Sequence, residues 1–314
     1  MLIMYQVLGI PFGFLLELIY KTIGMGSYAV SIILLTLITR ILTVPSSIKQ
    51  QKGMAKTQRI QSKIRKIQTK YAGDQRKIQE ETTALYQREG YNPMGAGCTP
   101  MIFQFVILFG LIGAIYYPLT NFLHISKEEV AVMASALNIE TKNIQAELLI
   151  MENIGKLREL FEMGKLEGVK AASLDAIGNV NFKIFGVSLG VKPTDDGVTK
   201  WVWLVPVLSF LSSILSGVYS MIKQKQQNPS AGSGPMMGCM MFGMPLLSLI
   251  FVINYPIGIG VYWIASSLFG FISTVIVGYF YSPKKTLAKL MIDETIERRS
   301  KEENQKLISA KKDK

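Results

Sequence analysis

Long apolar runs alternate with charged segments along this chain, and several runs are long enough to cross a membrane as helices. A helix that crosses the hydrocarbon core needs about 20 mostly apolar residues. Runs of that length occupy residues 28–48, where Arg40 is the only charged side chain, and residues 101–123 and 201–222, which carry no charge. We therefore predict one membrane-spanning helix in each of these three runs.

The last apolar run is too long for a single crossing. It extends from Pro235 to Tyr281, and one straight helix of that length would measure about 70 Å, more than twice the hydrocarbon core. The segment 254–258 contains the helix breakers Pro256 and Gly258. The run therefore predicts a fourth span at residues 236–254 and a fifth at 258–281.

The amino-terminal segment, residues 1–27, is apolar but interrupted by Pro11, Glu17 and Lys21. No Lys or Arg precedes its apolar run and no small-residue cleavage site follows it, which disfavours a signal peptide. We expect this segment to form an amphipathic helix in the outer membrane interface. A sixth span is the alternative, because the run is almost long enough to cross.

The segments between the spans are polar and mostly helical in pattern. Residues 49–93 predict a helical hairpin, in which Gly73 ends the first helix and Asp74 caps the second. Its apolar stripe consists of Ile60, Ile64, Ile67, Tyr71, Ile78, Thr82 and Leu85. Residues 124–200 predict helices near 127–137 and 145–163, followed by a strand-like or irregular stretch at 180–191. Residues 223–235 form a short loop, and residues 282–314 form a tail.

The distribution of charged residues predicts the orientation of the spans in the membrane. The chain carries a net charge of +12 although 49% of its residues are hydrophobic, which is unusual for a soluble protein. The segments 49–93, 223–235 and 282–314 together hold 23 basic and 10 acidic residues, whereas segment 124–200 holds 9 and 11. Cytoplasmic loops carry the Lys and Arg excess. We therefore expect the amino terminus outside, segment 124–200 extracellular, and the basic tail in the cytoplasm.

Few residues offer catalytic or metal chemistry. The chain has one histidine, His124, and two cysteines, Cys98 and Cys239. These numbers disfavour a disulfide scaffold, a zinc site and His-based catalysis, so we expect neither an enzyme nor a bound cofactor or metal. We expect His124 to lie at a membrane interface, and both cysteines to remain thiols near the cytoplasmic ends of their spans.

Arg40 is the residue that points most directly to a function. An arginine deep in a span costs about 2.5–3.5 kcal/mol on insertion scales, and such residues usually face water or a partner. Thr36, Thr39 and Thr43 share its helix face. A second hydroxyl stripe follows the third span and consists of Ser209, Ser212, Ser213, Ser216 and Ser220.

The two hydroxyl stripes have two possible explanations. They face each other across a watery cavity, or their hydroxyls bond to their own helix backbone and tighten packing. No Asp or Glu occurs in the five predicted spans. Proton relays and ion-coupled pumps normally need such acids within the membrane. The pattern therefore favours a polar cavity without proton coupling.

Four sequence motifs resemble the YidC/Oxa/Alb family of membrane protein insertases, particularly its single-domain bacterial members. They are Leu35-Thr36-Leu37-Ile38-Thr39-Arg40 closing on Pro45, the basic start Lys49-Gln50-Gln51-Lys52, the junction Asn92-Pro93-Met94-Gly95-Ala96-Gly97-Cys98-Thr99-Pro100 with Gln104, and Tyr255-Pro256-Ile257-Gly258-Ile259-Gly260-Val261-Tyr262-Trp263 after Met244-Pro245. The resemblance covers roughly residues 10–123 and 201–283. Ala96 is an extra residue in the junction, and segment 124–200 is longer than the family pattern implies.

The resemblance implies an all-α integral membrane protein of the bacterial plasma membrane that inserts other membrane proteins. Arg40 would lie in a hydrophilic groove with the two hydroxyl stripes and Gln104, and would attract acidic residues in a substrate's external tail. The substrate's apolar segment would reach lipid along the third and fifth spans, and the residues of this apolar slide would be Phe251, Tyr262, Trp263, Met240 and Met244. Implied partners are nascent membrane proteins, ribosomes through the basic tail, the Sec translocon and anionic lipids. A small-solute transporter or channel is the competing function.

Overall fold

The computed structural model describes residues 2–90, 99–227, 235–281 and 283–312, and these residues are mostly helical. The long helices are α1 (Leu2–Thr22), α2 (Tyr28–Lys70), α3 (Gln75–Arg88), α4 (Thr99–Tyr116), α10 (Leu204–Gln227), α11 (Pro235–Asn254), α12 (Ile257–Phe280) and α13 (Pro283–Lys312). Short elements fill the segment between α4 and α10: α5 (Pro118–Asn121), α6 (Lys127–Ala136), α7 (Ala146–Glu152), α8 (Ile154–Glu162), α9 (Ala171–Asn179), β1 (Lys183–Ile184), β2 (Val187–Ser188) and a 3₁₀ turn (Lys200–Trp203).

Within the described residues, three helical segments are long and apolar enough to cross a membrane. They are Tyr28–Lys49, Lys200–Lys223 and Ile257–Phe280. A shorter apolar helix covers Phe105–Tyr116. The chain therefore has the composition of a multi-pass membrane protein.

The chain divides into two compact units. The first contains residues 1–42, 101–221 and 233–271, and the second contains residues 43–100, 222–232 and 272–314. Helices α2, α10 and α12 each pass from one unit into the other.

Close backbone packing joins α1 to the end of α4 and to α5 in the first unit. Gly13 lies against the backbone of Asn121, where even a Cβ atom would collide. The Asn121 side chain donates a hydrogen bond to the carbonyl of Gly113 at 3.0 Å. Both ends of α1 are held: Tyr5 is hydrogen bonded to Tyr255, and the Tyr20 hydroxyl accepts a bond from the Asn181 amide at 3.0 Å.

A reversal of the chain separates α1 from α2. Met25 and Gly26 both have positive φ angles, which turn the backbone sharply. The α2 helix then begins at Tyr28, a fully buried residue whose hydroxyl donates to the Ala114 carbonyl at 2.8 Å. This bond crosses from α2 to α4 and fixes the two helices at one level of the apolar core.

Helix α4 ends at Tyr116, earlier than the predicted limit of the second span at Leu123. Pro118 is the reason, because proline has no N–H to donate and favours the first turn of a new helix. The four-residue helix α5 follows, and a buried carboxylate, Glu147, accepts bonds from its first amides, Leu119 at 2.7 Å and Thr120 at 3.1 Å.

The predicted external segment, residues 124–200, contains its own apolar cluster in the first unit. Met133, Ile150 and Leu157 are fully buried members of this cluster. Glu129 ties α6 to α9, because its carboxylate accepts a bond from the Ser173 hydroxyl at 2.6 Å. The helix predicted at 145–163 is interrupted at Asn153, which separates α7 from α8.

Strands β1 and β2 form an antiparallel hairpin within the stretch that the sequence predicted to be strand-like or irregular. Lys183 pairs with Ser188 and Ile184 with Val187. The purely helical fold class that we predicted therefore needs this small correction. The hairpin is short, and the helical architecture around it is unchanged.

The second unit contains the basic half of α2 together with α3 and α13. Helix α2 ends at Lys70, Gly73 adopts a positive φ angle, and the Asp74 carboxylate caps α3 by accepting a bond from the Lys77 amide at 3.1 Å. Lys63 forms an ion pair with Glu89. The tail, predicted only to be basic, is a continuous helix, α13.

Candidate functional site: an arginine among hydroxyls

Arg40 is half-buried in the first unit and is bound by the fifth predicted span. Its Nη2 atom donates a hydrogen bond to the Ser266 hydroxyl on α12. A Cβ added at Gly270, one turn further along α12, would lie 3.6 Å from the guanidinium carbon, an ordinary van der Waals distance. Ser266 thus accepts a hydrogen bond from the guanidinium group. Gly270, which has no side chain, leaves space beside the flat face of that group.

Two threonines of the predicted stripe donate their hydroxyl groups to carbonyls of their own helix. Thr36 is 1% exposed and donates to the Ile32 carbonyl at 2.6 Å. Thr39 donates to the Thr36 carbonyl at 2.8 Å. Thr43 lies further along α2, in the second unit, and its carbonyl accepts a bond from Ser47 at 3.2 Å. For Thr36 and Thr39 the backbone-bonding explanation of the stripe applies.

The serine stripe on α10 is divided between backbone bonds and a bond to another helix. The hydroxyls of Ser212 and Ser220 donate to carbonyls on their own helix at 2.9 and 2.8 Å. Ser213 instead shares a hydrogen bond of 3.3 Å with Ser267 on α12. The Ser209 hydroxyl is fully buried and has no hydrogen-bond partner among the described residues. Ser216 is half-buried.

Helix α12 therefore connects the two stripes, which the sequence analysis did not anticipate. Ser266 bonds to Arg40 on α2, and the next residue, Ser267, bonds to Ser213 on α10. A Ser-Ser pair in an otherwise apolar span was the signal that would have identified these residues. Helix α12 thus carries one hydroxyl that binds Arg40 and another that binds the serine stripe.

The predicted slide residues lie in different environments. Phe251 stacks on Tyr255 with ring centroids 3.9 Å apart and also contacts Trp263 at 5.4 Å. Tyr262 is 2% exposed and belongs to the apolar core, so it does not contribute a surface along which a segment can slide. The side chains of Met240, Met244 and Gln104 lie outside the described residues.

One face of α10, the third predicted span, is an exposed apolar surface. It lies on the side of the helix away from the serines, at helical spacing. Its exposed members are Leu204, Val207, Leu208, Leu211 and Leu215. The third predicted span thus has a polar face toward α12 and an apolar face open to its surroundings.

Two buried carboxylates in segment 124–200, Glu147 and Glu129, have pKa values shifted in opposite directions. Burial raises the pKa of Glu147 to about 7, although the Thr120 amide and hydroxyl and the Leu119 amide all bond to it and oppose the shift. Burial also acts to raise the pKa of Glu129, but the bonds from Ser173 and Lys170 outweigh it and hold that pKa below its usual range. Glu147 is therefore the acid that becomes neutral first as the pH falls.

The apolar helices, the arginine bonded to a serine hydroxyl within them and the polar segment 124–200 define a multi-pass α-helical membrane protein. The family model described as 60Kd inner membrane protein matches residues 18–284. The chain belongs to that family, which confirms the resemblance to YidC/Oxa/Alb proteins.

Similar proteins of known name are bacterial insertases. Membrane protein insertase MisCA of Bacillus subtilis (strain 168) is 25% identical over 85% of this chain and 76% of its own length. Membrane protein insertase YidC 1 of Listeria monocytogenes serotype 4b (strain F2365) is 25% identical over 91% of this chain and 76% of its own length. Membrane protein insertase YidC of Syntrophus aciditrophicus (strain SB) is 37% identical over 35% of this chain and 20% of its own length.

Proposed function

We propose that this protein is a membrane protein insertase that uses Arg40 to attract the acidic external tail of an arriving substrate. The observation that supports this most directly is the position of Arg40, half-buried in an apolar helix and bonded to Ser266. The guanidinium group carries a positive charge, and the Ser266 hydroxyl to which it donates is neutral. An acidic segment is the chemistry that such a charge would attract.

The proposed topology has five spans, with the amino terminus outside and the carboxyl terminus in the bacterial cytoplasm. The excess of basic residues in segments 49–93, 223–235 and 282–314 supports this orientation. Helix α1 would lie in the outer interface and not form a sixth span. Its two ends are bonded to Tyr255 and Asn181, which this topology places on the same side of the membrane.

The hydroxyl cluster would form the wall of a hydrophilic groove. A polar tail that crosses a bilayer must leave water. Each backbone group that is left without a hydrogen bond in hydrocarbon then costs on the order of several kcal/mol. Arg40, Ser266 and Ser213 offer polar groups part of the way across. Ser209, buried with no partner among the described residues, adds a further donor and acceptor.

The substrate's apolar segment would leave along the exposed face of α10. The residues Val207, Leu208, Leu211 and Leu215 present that face. An apolar helix that leaves these side chains exchanges protein contacts for lipid contacts of similar strength. Its release therefore changes the free energy only a little. That balance suits a surface that must let each substrate go.

The cytoplasmic parts would receive substrates. We propose a hairpin of the basic half of α2 with α3, and a basic helix, α13, for contacts with ribosomes and anionic lipids. Each basic residue near an anionic membrane surface contributes about 1 kcal/mol of attraction. Cooperation with the Sec translocon belongs to the same proposal.

Reconstitution tests the function. Purified protein in liposomes should insert a short single-span substrate with an acidic external tail, measured by protease protection of that tail, and should not release a trapped small solute. Solute release without insertion would establish the transporter or channel function and refute the proposal. Empty liposomes provide the control for spontaneous insertion.

A further inference from the structure

The β1–β2 hairpin ends in an exposed aromatic residue with an unusual backbone conformation. Phe185 and Gly186 form its two-residue turn and have positive φ angles of 46° and 82°. Such turns favour Asn and Gly, because a residue with a bulky side chain is strained at positive φ. Phe185 is nevertheless 86% exposed. The hairpin itself therefore gains little from a phenylalanine at this position.

The surroundings of Phe185 indicate what its ring faces. The ring meets Trp201 edge to face, with centroids 5.8 Å apart. Trp201 lies at the start of the apolar segment Lys200–Lys223, which is long enough to cross a membrane. Tryptophan at the end of a span typically marks the boundary between headgroups and hydrocarbon. Phe185 is therefore held at the level of a membrane surface.

Neighbouring residues continue the same surface. Trp203 and Leu204, next along the chain, are large and exposed and begin the apolar face of α10. Lys183 and Lys200 are also exposed, and their ammonium groups suit phosphate headgroups. The acidic Glu152 is hydrogen bonded to Ser188, which is the last residue of β2 and lies after the turn that contains Phe185.

We infer that the β1–β2 hairpin dips into the outer leaflet, with Phe185 inserted among the lipids beside the third span. The occupant of this surface is phospholipid, and the result is an anchor that holds the external segment against the bilayer. This inference uses neither Arg40 nor the insertase function, and it takes the outer side of the membrane from the orientation proposed above. A protein partner on Phe185 is the alternative that the experiment separates.

Spin-label accessibility tests the anchor in the full chain. Cys98 and Cys239 are first replaced by serine, and single cysteines are then introduced as Phe185→Cys, Met163→Cys and Leu211→Cys, each carrying a nitroxide in lipid nanodiscs. Leu211 is an exposed span residue and serves as the lipid reference, whereas Met163 is exposed in the external segment and serves as the water reference. Collisions with oxygen report lipid, and collisions with a water-soluble nickel chelate report water.

The label at position 185 should favour oxygen over nickel, as the label at position 211 does. A label at position 185 that behaves like the one at 163 would place the hairpin in water and overturn the inference. A label shielded from both reagents would mean a protein contact and would overturn it as well.

A pair of substitutions gives an independent measurement. Phe185→Asn suits the positive φ angle and keeps the turn, but it cannot insert, whereas Phe185→Trp keeps an interfacial aromatic ring. Amide hydrogen exchange over residues 180–191 in nanodiscs should become about tenfold faster in Phe185→Asn, equivalent to about 1.4 kcal/mol of lost anchoring. Phe185→Trp should match the parent protein. Equal exchange in Phe185→Asn and the parent would contradict the anchor.

Discussion

The Glu147 carboxylate should make segment 124–200 less stable as the pH rises. It is 4% exposed and joins α7 to α5 through bonds from Leu119 and Thr120. Its pKa is raised from 4.5 to about 7 in the fold. The folded protein therefore holds a proton between those pH values that the unfolded chain releases, and stability falls with rising pH across this window. A rise of this size in the pKa corresponds to about 3 kcal/mol of stability.

Substitutions separate the charge from the hydrogen bonds. Glu147→Gln cannot ionise, yet its carbonyl oxygen can accept from the two amides and its NH₂ can donate to the Thr120 hydroxyl. This variant should be about as stable as the parent protein near pH 5 and more stable near pH 8. Glu147→Leu leaves buried amides unpaired and should be less stable at both pH values, by about 1–3 kcal/mol for each unsatisfied amide.

Amide hydrogen exchange in α5 and α7, corrected for its intrinsic pH dependence, measures this effect. Glu129→Gln is the matched control, because the pKa of Glu129 is lowered and its stabilisation is lost as the pH falls. Glu129→Gln should therefore give no gain near pH 8. Equal protection of the parent protein at pH 5 and pH 8 would show that Glu147 does not control this stability. An unchanged pH response in Glu147→Gln would show the same.

Three further predictions concern the site, the topology and the cysteines. Ser266→Ala should lower the insertion rate of acidic-tailed substrates about fivefold in a reconstituted assay, because a net hydrogen bond contributes about 1 kcal/mol. Ser267→Ala is the neighbouring control, and equal effects of the two substitutions would disprove a specific role for the bond between Ser266 and Arg40. A cysteine introduced into tail 282–314 should resist an impermeant reagent applied to intact cells, and labelling from outside would reject the proposed orientation. Cys98 and Cys239 should be free thiols in the purified protein, so mass spectrometry before and after reduction should give one mass.

The sequence predicted the features that depend on local pattern. Apolar runs of the right length indicated the helices, and Gly73 and Asp74 marked the turn before α3. Pro118 also acts locally, and its position in residues 101–123 predicts that the helix ends before it. These signals depend on backbone chemistry within a few residues, which one sequence is enough to reveal.

The contacts between helices could not be predicted in the same way. Thr36 and Ser212 lie on recognisable stripes, but their hydroxyls bond to their own helices. Arg40 donates to Ser266, which is 226 residues away, and no periodic pattern assigns a partner over that separation. Phe185 was equally hidden, because its importance depends on a positive φ angle and on Trp201 nearby.

Substitutions of Arg40 test whether its positive charge attracts the acidic tails of substrates. The measurement compares insertion of one substrate with an acidic external tail and the same substrate with that tail neutralised, in membranes holding equal amounts of parent, Arg40→Lys or Arg40→Ala protein. Arg40→Lys keeps the charge but loses the planar group, so it should retain most of the activity.

Arg40→Ala should reach the membrane normally and insert the neutralised substrate, but it should fail with the acidic one. Insertion of the acidic substrate by Arg40→Ala at the parental rate would contradict the charge mechanism. Loss of Arg40→Ala from the membrane would contradict it too, because it would make the arginine a structural residue.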